Sequence, residues 1–275
     1  MVEWIMEPLS YGFFLRGLGA GLIVALACGV LSAFIVWRGM AFIGDALAHA
    51  VLPGIVLSVM LGVHILVGAL IAAYITVLAI GNLTSKDSFK DDTAIGVIFA
   101  GAFALGILLI SKIASFQDLS HILFGNILGV NKIDLIIISV IAIIVVLAVI
   151  LFFKELLVTS FDSAHAIAIG ISPQLLTYGL LILIASTTVI ATQTVGVVLV
   201  MALLVTPAAT SSLWVKELHK IIIISIILAI LAIVTGFYGS YYFDLPAGAL
   251  IVLILTSFFI ISYISVGINK RFLNA

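Results

Sequence analysis

Arg38-Gly39-Met40-Ala41-Phe42-Ile43-Gly44-Asp45-Ala46-Leu47-Ala48-His49-Ala50-Val51-Leu52-Pro53-Gly54 is the stretch on which the fold turns. Asp45 and His49 stand four residues apart, one turn on one face of an α-helix, within an apolar run long enough to cross a membrane. Counted at roughly 1.5 Å per residue from a start near Met40, His49 lies about 14 Å deep, near the middle of a hydrocarbon layer about 30 Å thick. A charge held there costs at least about 2.5–3.5 kcal/mol per group, so such residues face a bundle interior or a water-filled path. Three readings of the pair stay open from the residues alone: a divalent-cation contact, a hydrogen-bonded helix seam, and a proton relay. Pro53 and Gly54 interrupt the same segment and release backbone carbonyls, as often happens along a pathway.

The rest of the chain agrees with a membrane setting. Of 275 residues, 65% are hydrophobic and 8% charged, with mean hydropathy +1.47, which no ordinary soluble domain approaches. The expected fold class is an all-α membrane protein forming a single transmembrane domain over residues 1–275. Net charge is −1, so nothing in the total points to nucleic acid. Cys28 is the single cysteine and reads as filler, unable to form an internal disulfide or a thiolate cage. The acidic start, Met1-Val2-Glu3-Trp4-Ile5-Met6-Glu7-Pro8, does not read as a signal peptide; the first spanning helix is expected to direct insertion.

Spans are expected at 13–37, 40–61, 64–82, 93–111, 133–153, 174–191, 195–214, 221–241 and 247–266. The turns at Gly62–His64 and Thr192–Thr194 decide between nine crossings and eight. Nine with the N-terminus outside put Arg38, Lys86, Lys90, Lys154, Lys216, Lys220, Lys270 and Arg271 inside, leaving Arg16, Lys112 and Lys132 outside. That asymmetry satisfies the positive-inside rule and places the C-terminus in the cytoplasm.

Three longer loops remain. Residues 83–92 form a charged turn in which Asp91 and Asp92 can cap the next helix. Residues 112–132, with Asp118, His121 and a short helix around 119–128, suit an outer docking or gating surface or an ordinary surface helix. In residues 154–173, Asp162 caps a short helix to Ile169, Gly170 stops it and Pro173 follows. Its alanines at 164, 166 and 168 give a narrow body fit for another protein's groove or for resting on lipid.

The polar run Ser186 to Thr194 reads mostly as hydroxyls bonded back to their helix, with Gln193 at an outer mouth. Pro207 reads as a bend at a packing interface or a gate. His64, His121, His165 and His219 have no second ligand at helical spacing, and Asp244, Pro246 and Gly248 mark a turn. The chain lacks a P-loop pattern, His-Glu-x-x-His and Gly-x-Ser-x-Gly. Energy from ATP would therefore come from another subunit, and the chain reads as no enzyme, with no bound cofactor.

Arg38-Gly39-Met40 through Gly44-Asp45-Ala46, and His49 to Gly54, resemble the second membrane segment of the manganese, zinc and iron permeases of bacterial ABC importers. So do Asp92-Thr93-Ala94-Ile95-Gly96, Gly196 to Val200 with Thr206 to Thr210, and Asp244 to Gly248. The resemblance implies a fold like the type II cobalamin and siderophore importers, a homodimeric or paired permease in the bacterial plasma membrane, two cytoplasmic ATPase subunits, and an external metal-binding protein. It makes the helix at 162–170, with Asp162, Ala166 and Gly170, the coupling element to the ATPase. It makes Asp45 and His49 the leading contacts of a transported ion, Mn²⁺ favoured over Zn²⁺ and iron. A proton-coupled secondary transporter is the alternative.

Overall fold

A computed structural model describes residues 2–84, 91–111 and 129–273, all helical apart from short turns. Thirteen helices are assigned among them: α1 Val2–Leu9, α2 Gly12–Trp37, α3 Ile43–Ala50, α4 Leu52–Leu61, α5 Ile65–Thr84, α6 Asp91–Ile110, α7 Lys132–Leu151, α8 Phe153–Phe161, α9 Ser163–Ala168, α10 Pro173–Val195, α11 Val197–Ser212, α12 Leu218–Phe243 and α13 Ala247–Leu273. The helix expected around 119–128, with Asp118 and His121, lies outside the described residues, as does most of the 83–92 turn.

Helix α2 is the post around which the bundle is built. Its small residues Gly21, Ala25, Cys28, Gly29 and Ser32 are buried, and α12, α11, α7 and α10 pack against it. Gly29 lies against the backbone of Ile226, and Gly21 against Ile233 and Phe237, so α12 runs antiparallel to α2 at close range. Small residues are the means by which helices approach when lipid offers no hydrophobic drive.

Two ends of the bundle can be told apart by which basic residues meet there. At one, Arg16 Nε donates to the carbonyl of Val130 at 3.1 Å, beside α7. Asn131 caps α7, its Oδ1 accepting from Ile133 and Asp134 at 2.8 and 2.9 Å. At the other end, Arg38 reaches Thr159, Ser160 and Thr177.

Eight helical stretches among the described residues are long and apolar enough to cross a membrane, α3 and α4 counting together as one. Helix α11 has 16 residues, about 24 Å at the usual rise, and is shorter than these. It nevertheless runs back across the bundle, a ninth traverse of it among the described residues. Thr177, at the start of α10, bonds to Arg38, while Ser211, at the end of α11, bonds to Ser225 of α12 at 3.0 Å. Since α12 begins level with the end of α2, both ends of the α10–α11 pair lie at the Arg38 face. The chain therefore goes across and returns, turning at Gly196 (φ +93°). The turn falls two residues beyond the expected Thr192–Thr194 because the threonine run stays helical to Val195.

The other uncertain turn is also real. Gly62 adopts φ +66° and ends α4, and α5 returns alongside. Gly54 of α4 and Gly68 of α5 are so close that a Cβ on either would overlap the other's carbonyl. Two short elements escaped the sequence reading: α1, and α8, which occupies what was expected to be loop. The span expected from residue 40 begins at Ile43 and is divided at Val51.

Candidate functional site

Helix α3 presents Asp45 in its first turn and His49 in its last. Their side chains meet as the four-residue spacing requires, His49 Nε2 lying 3.4 Å from Asp45 Oδ1, with side-chain exposures of 31% and 33%. The pair is neither sealed in the core nor fully open.

The depth inferred from residue counting is supported by a neighbouring helix. His49 sits against Phe99 and Phe103 of α6, with ring centroids 6.2 and 5.5 Å away, the Phe103 contact edge-on. Those residues are the ninth and thirteenth of α6, so His49 lies about 12–18 Å along that helix from its start. Packing of the imidazole against these two stacked rings limits its rotation. The other ring nitrogen, Nδ1, is buried without a hydrogen-bond partner among the described residues. Among the described residues, no acceptor holds the imidazole from behind.

Pro53 contributes by what it lacks. The amide of residue 53 would donate to the carbonyl of residue 49 in a continuous helix; proline has no such hydrogen. The break at Val51 therefore leaves a backbone oxygen on His49 without its usual helical donor.

The geometry suits a cation. Two ligand atoms each about 2.1 Å from one ion stand about 3.0 Å apart at a right angle and about 3.4 Å at the tetrahedral angle. The observed separation falls at the upper end of that range, and it also suits a hydrogen bond from the imidazole to the carboxylate. No group of three or more His, Cys, Asp or Glu side chains placed to hold a metal occurs among the described residues. The chain brings two candidate side-chain ligands together here, less than a full shell.

The second predicted element is also in place. Asp162 Oδ1 accepts from the amide of His165 at 2.9 Å, capping α9, and Gly170 (φ +81°) ends it, with Ile171 donating to the Ala166 carbonyl at 2.9 Å. Pro173 opens α10, as expected. One detail differs: Ala166 is fully buried within the chain, while Ile167 and Ile169 are exposed to 64% and 52%. Ala166 anchors α9 against its own bundle, and the isoleucines form the outer surface.

Of the hydroxyl run on α10, Ser186, Thr187 and Thr194 bond back to helix carbonyls at 2.8–3.0 Å, as expected. Thr188 Oγ1 and Thr192 Oγ1, one turn apart, and Gln193 Nε2 are buried with no hydrogen-bond partner among the described residues. Pro207 is buried inside α11, which continues through it. His64 is exposed and accepts from the amide of Leu66, and His219 is exposed beside Glu217. Neither joins the Asp45–His49 pair.

A multi-pass helical membrane protein with an ionisable pair at mid-depth and a capped helix exposed at one face has the build of a transporter's membrane subunit. Residues 10–266 match the model of the ABC 3 transport family, and the chain belongs to that family. It is 43% identical over 256 residues to the manganese transport system membrane protein MntC of Listeria monocytogenes, covering 93% of this chain and 91% of that protein. It is 37% identical over 260 residues to the chelated iron transport system membrane protein YfeD of Yersinia pestis, covering 94% and 88%. The solved structure of PsaBC from Streptococcus pneumoniae in complex with Fab matches at TM-score 0.82 and 38% identity, covering 95% of each chain. The all-α permease fold of the type II ABC importers, expected from the sequence, is the fold observed.

Proposed function

We propose that this chain is the permease half of an ATP-driven importer of divalent transition-metal ions, with Asp45 and His49 contacting the ion as it crosses. The observation that carries the proposal is the pair itself: a carboxylate oxygen and an imidazole nitrogen 3.4 Å apart at mid-depth, each partly exposed. An oxygen and a neutral nitrogen without thiolate suit manganese, iron or zinc better than soft cations. Manganese is favoured, in keeping with the relative from Listeria monocytogenes. Iron is the second reading, in keeping with the relative from Yersinia pestis. Family membership favours ATP over a proton gradient as the energy source.

Two ligands per chain call for others. A second copy of the chain brings Asp45 and His49 of both protomers to one pathway and supplies four, with water completing the shell. Two ATPase subunits bind at the Arg38 face around α9, and an external metal-binding protein docks at the Arg16 face. The Arg38 face is then cytoplasmic, where Lys154, Lys216 and Lys220 also gather, with the N-terminus outside and the C-terminus inside.

Uptake of radioactive manganese by cells expressing the complete transporter tests the proposal. Asp45→Ala and His49→Ala each lower uptake by about tenfold or more, since a lost ligand costs at least as much as a lost supporting group. Unchanged uptake at normal membrane levels of either variant overturns the role given to that residue. Uptake that persists without the ATPase subunits overturns the energy source.

A further inference from the structure

Arg38 is the residue at which the two functional regions meet. It ends α2, three residues of link separate it from Phe42 and the start of α3, and its side chain points away toward the arms of α9. Its Nη1 donates to Thr177 Oγ1 at 2.9 Å, Nε to Ser160 Oγ at 3.3 Å and Nη2 to Thr159 Oγ1 at 3.5 Å. Thr159 and Ser160 are at the end of α8, which leads into α9; Thr177 is at the start of α10, which leaves it.

The acceptors are prepared for this task. Ser160 donates its own proton to the Leu156 carbonyl at 2.6 Å, and Thr159 donates to the Glu155 carbonyl at 2.9 Å. With their hydrogens so committed, both oxygens turn lone pairs toward the guanidinium. Beside them, the Trp37 ring lies 4.4 Å from that of Phe161, a second tie between α2 and α8.

The grip on the guanidinium borders open space. Arg38, Asp91, Thr159, Gly170 and Thr177 line a cavity of about 850 Å³ at this face. Burial pushes the guanidinium pKa down, and the Asp91 carboxylate opposes that shift. Arg38 remains a charged donor held by neutral hydroxyls, which bind it in a fixed fork and release it more readily than a bidentate carboxylate would. The next residue, Gly39, has φ +72° with open space around it, and its amide and that of Met40 donate to the carbonyls of Val36 and Ile35, so the chain turns sharply from the end of α2 into the short link to α3.

We propose that Arg38 is the positioning residue that carries movement of α9 to the ion-contacting helix α3. Displacing α9 shifts the ends of α8 and α10 that grip the guanidinium, and the short link through Gly39 passes the shift to Asp45 and His49. The inference rests on the permease reading above, but its test does not use the metal.

In the complex with its ATPase subunits, Asp45→Cys gives a thiol at the pathway position, and native Cys28 is buried and silent. Labelling of this thiol by a water-soluble maleimide is compared with and without ATP and vanadate. With Arg38 present, nucleotide changes the labelling rate. With Arg38→Met the nucleotide effect falls by about tenfold, the loss expected of a charge-assisted contact, while ATP turnover persists. Arg38→Lys recovers part of it, because a point charge reaches fewer of the three acceptors. Thr177→Val, nearly the same shape, weakens the effect without lowering protein yield. An undiminished nucleotide effect in Arg38→Met overturns the proposal. So does a loss matched by equal losses of ATP turnover and yield in both Arg38→Met and Thr177→Val, which marks a merely structural contact. Failure of the native complex to take up metal instead counts against the import reading, and the labelling comparison stands apart from it.

Discussion

Asp45 and His49 show how much a single turn of helix can say. Two ionisable groups in an apolar span are costly enough that a partner or a path must account for them, and the helix repeat alone brings them together. Their separation in the structure agrees. What residue counting could not supply is the wall behind the imidazole, because Phe99 and Phe103 come from α6, some fifty residues on. In sequence they are two aromatic residues among many. A prediction follows at this scale. Phe103→Ala removes an edge-on ring contact worth about 0.5–1.5 kcal/mol, loosens His49 and lowers manganese uptake by about two- to tenfold. Transport assays at saturating and limiting metal check it, the defect being larger at limiting metal, where ligand placement sets affinity. Among the described residues Nδ1 of His49 is buried without a partner, a position where one further side chain or water belongs.

Among the helices, close approach and stop signals are the controlling features. Gly54 and Gly68 let α4 and α5 touch backbone to backbone, directly beyond the broken turn that carries His49. Gly54→Ala or Gly68→Ala forces the helices apart and costs about 1–3 kcal/mol or more, read as a lower unfolding midpoint of the purified protein in detergent. Gly170 is a different case: open space surrounds it, but its φ of +81° is barred to a β-branched side chain. Gly170→Val strains the end of α9 while the membrane helices stay intact. It lowers metal uptake per ATP hydrolysed in the assembled transporter, with normal amounts in the membrane. Ile167→Ser acts from the outer surface of the same helix and lowers ATPase association, measured by co-purification. Substitution of buried Ala166 by a large residue instead lowers protein yield, since that side chain meets its own bundle. The alternating alanines of α9 gave no indication of which one turns inward; a six-residue helix between polar turns has no apolar stripe long enough to choose a face.

For the whole molecule, the arrangement of basic residues predicts a sided protein. A cysteine placed at exposed Gly62 is labelled from outside intact cells, whereas one at exposed Gly170 is labelled only after the membrane is opened. The reverse pattern overturns the proposed orientation. The same chain shows where sequence ends and folding begins. Composition and the lengths of apolar runs were sufficient for an all-α membrane protein, and helical spacing was sufficient to pair Asp45 with His49. Asp162, Gly170 and Pro173 marked α9 because capping and stopping are local acts of the backbone. Such properties depend on neighbours within a turn or two, so they can be read along the chain. The return of α11, the burial of Ala166, the phenylalanine wall beside His49 and the grip on Arg38 were decided by the tertiary structure. Most of these join residues tens to more than a hundred positions apart, and in a chain where nearly every helix is apolar on all sides, hydrophobicity does not say which face meets which neighbour; only the packing of small residues and the few polar bonds does.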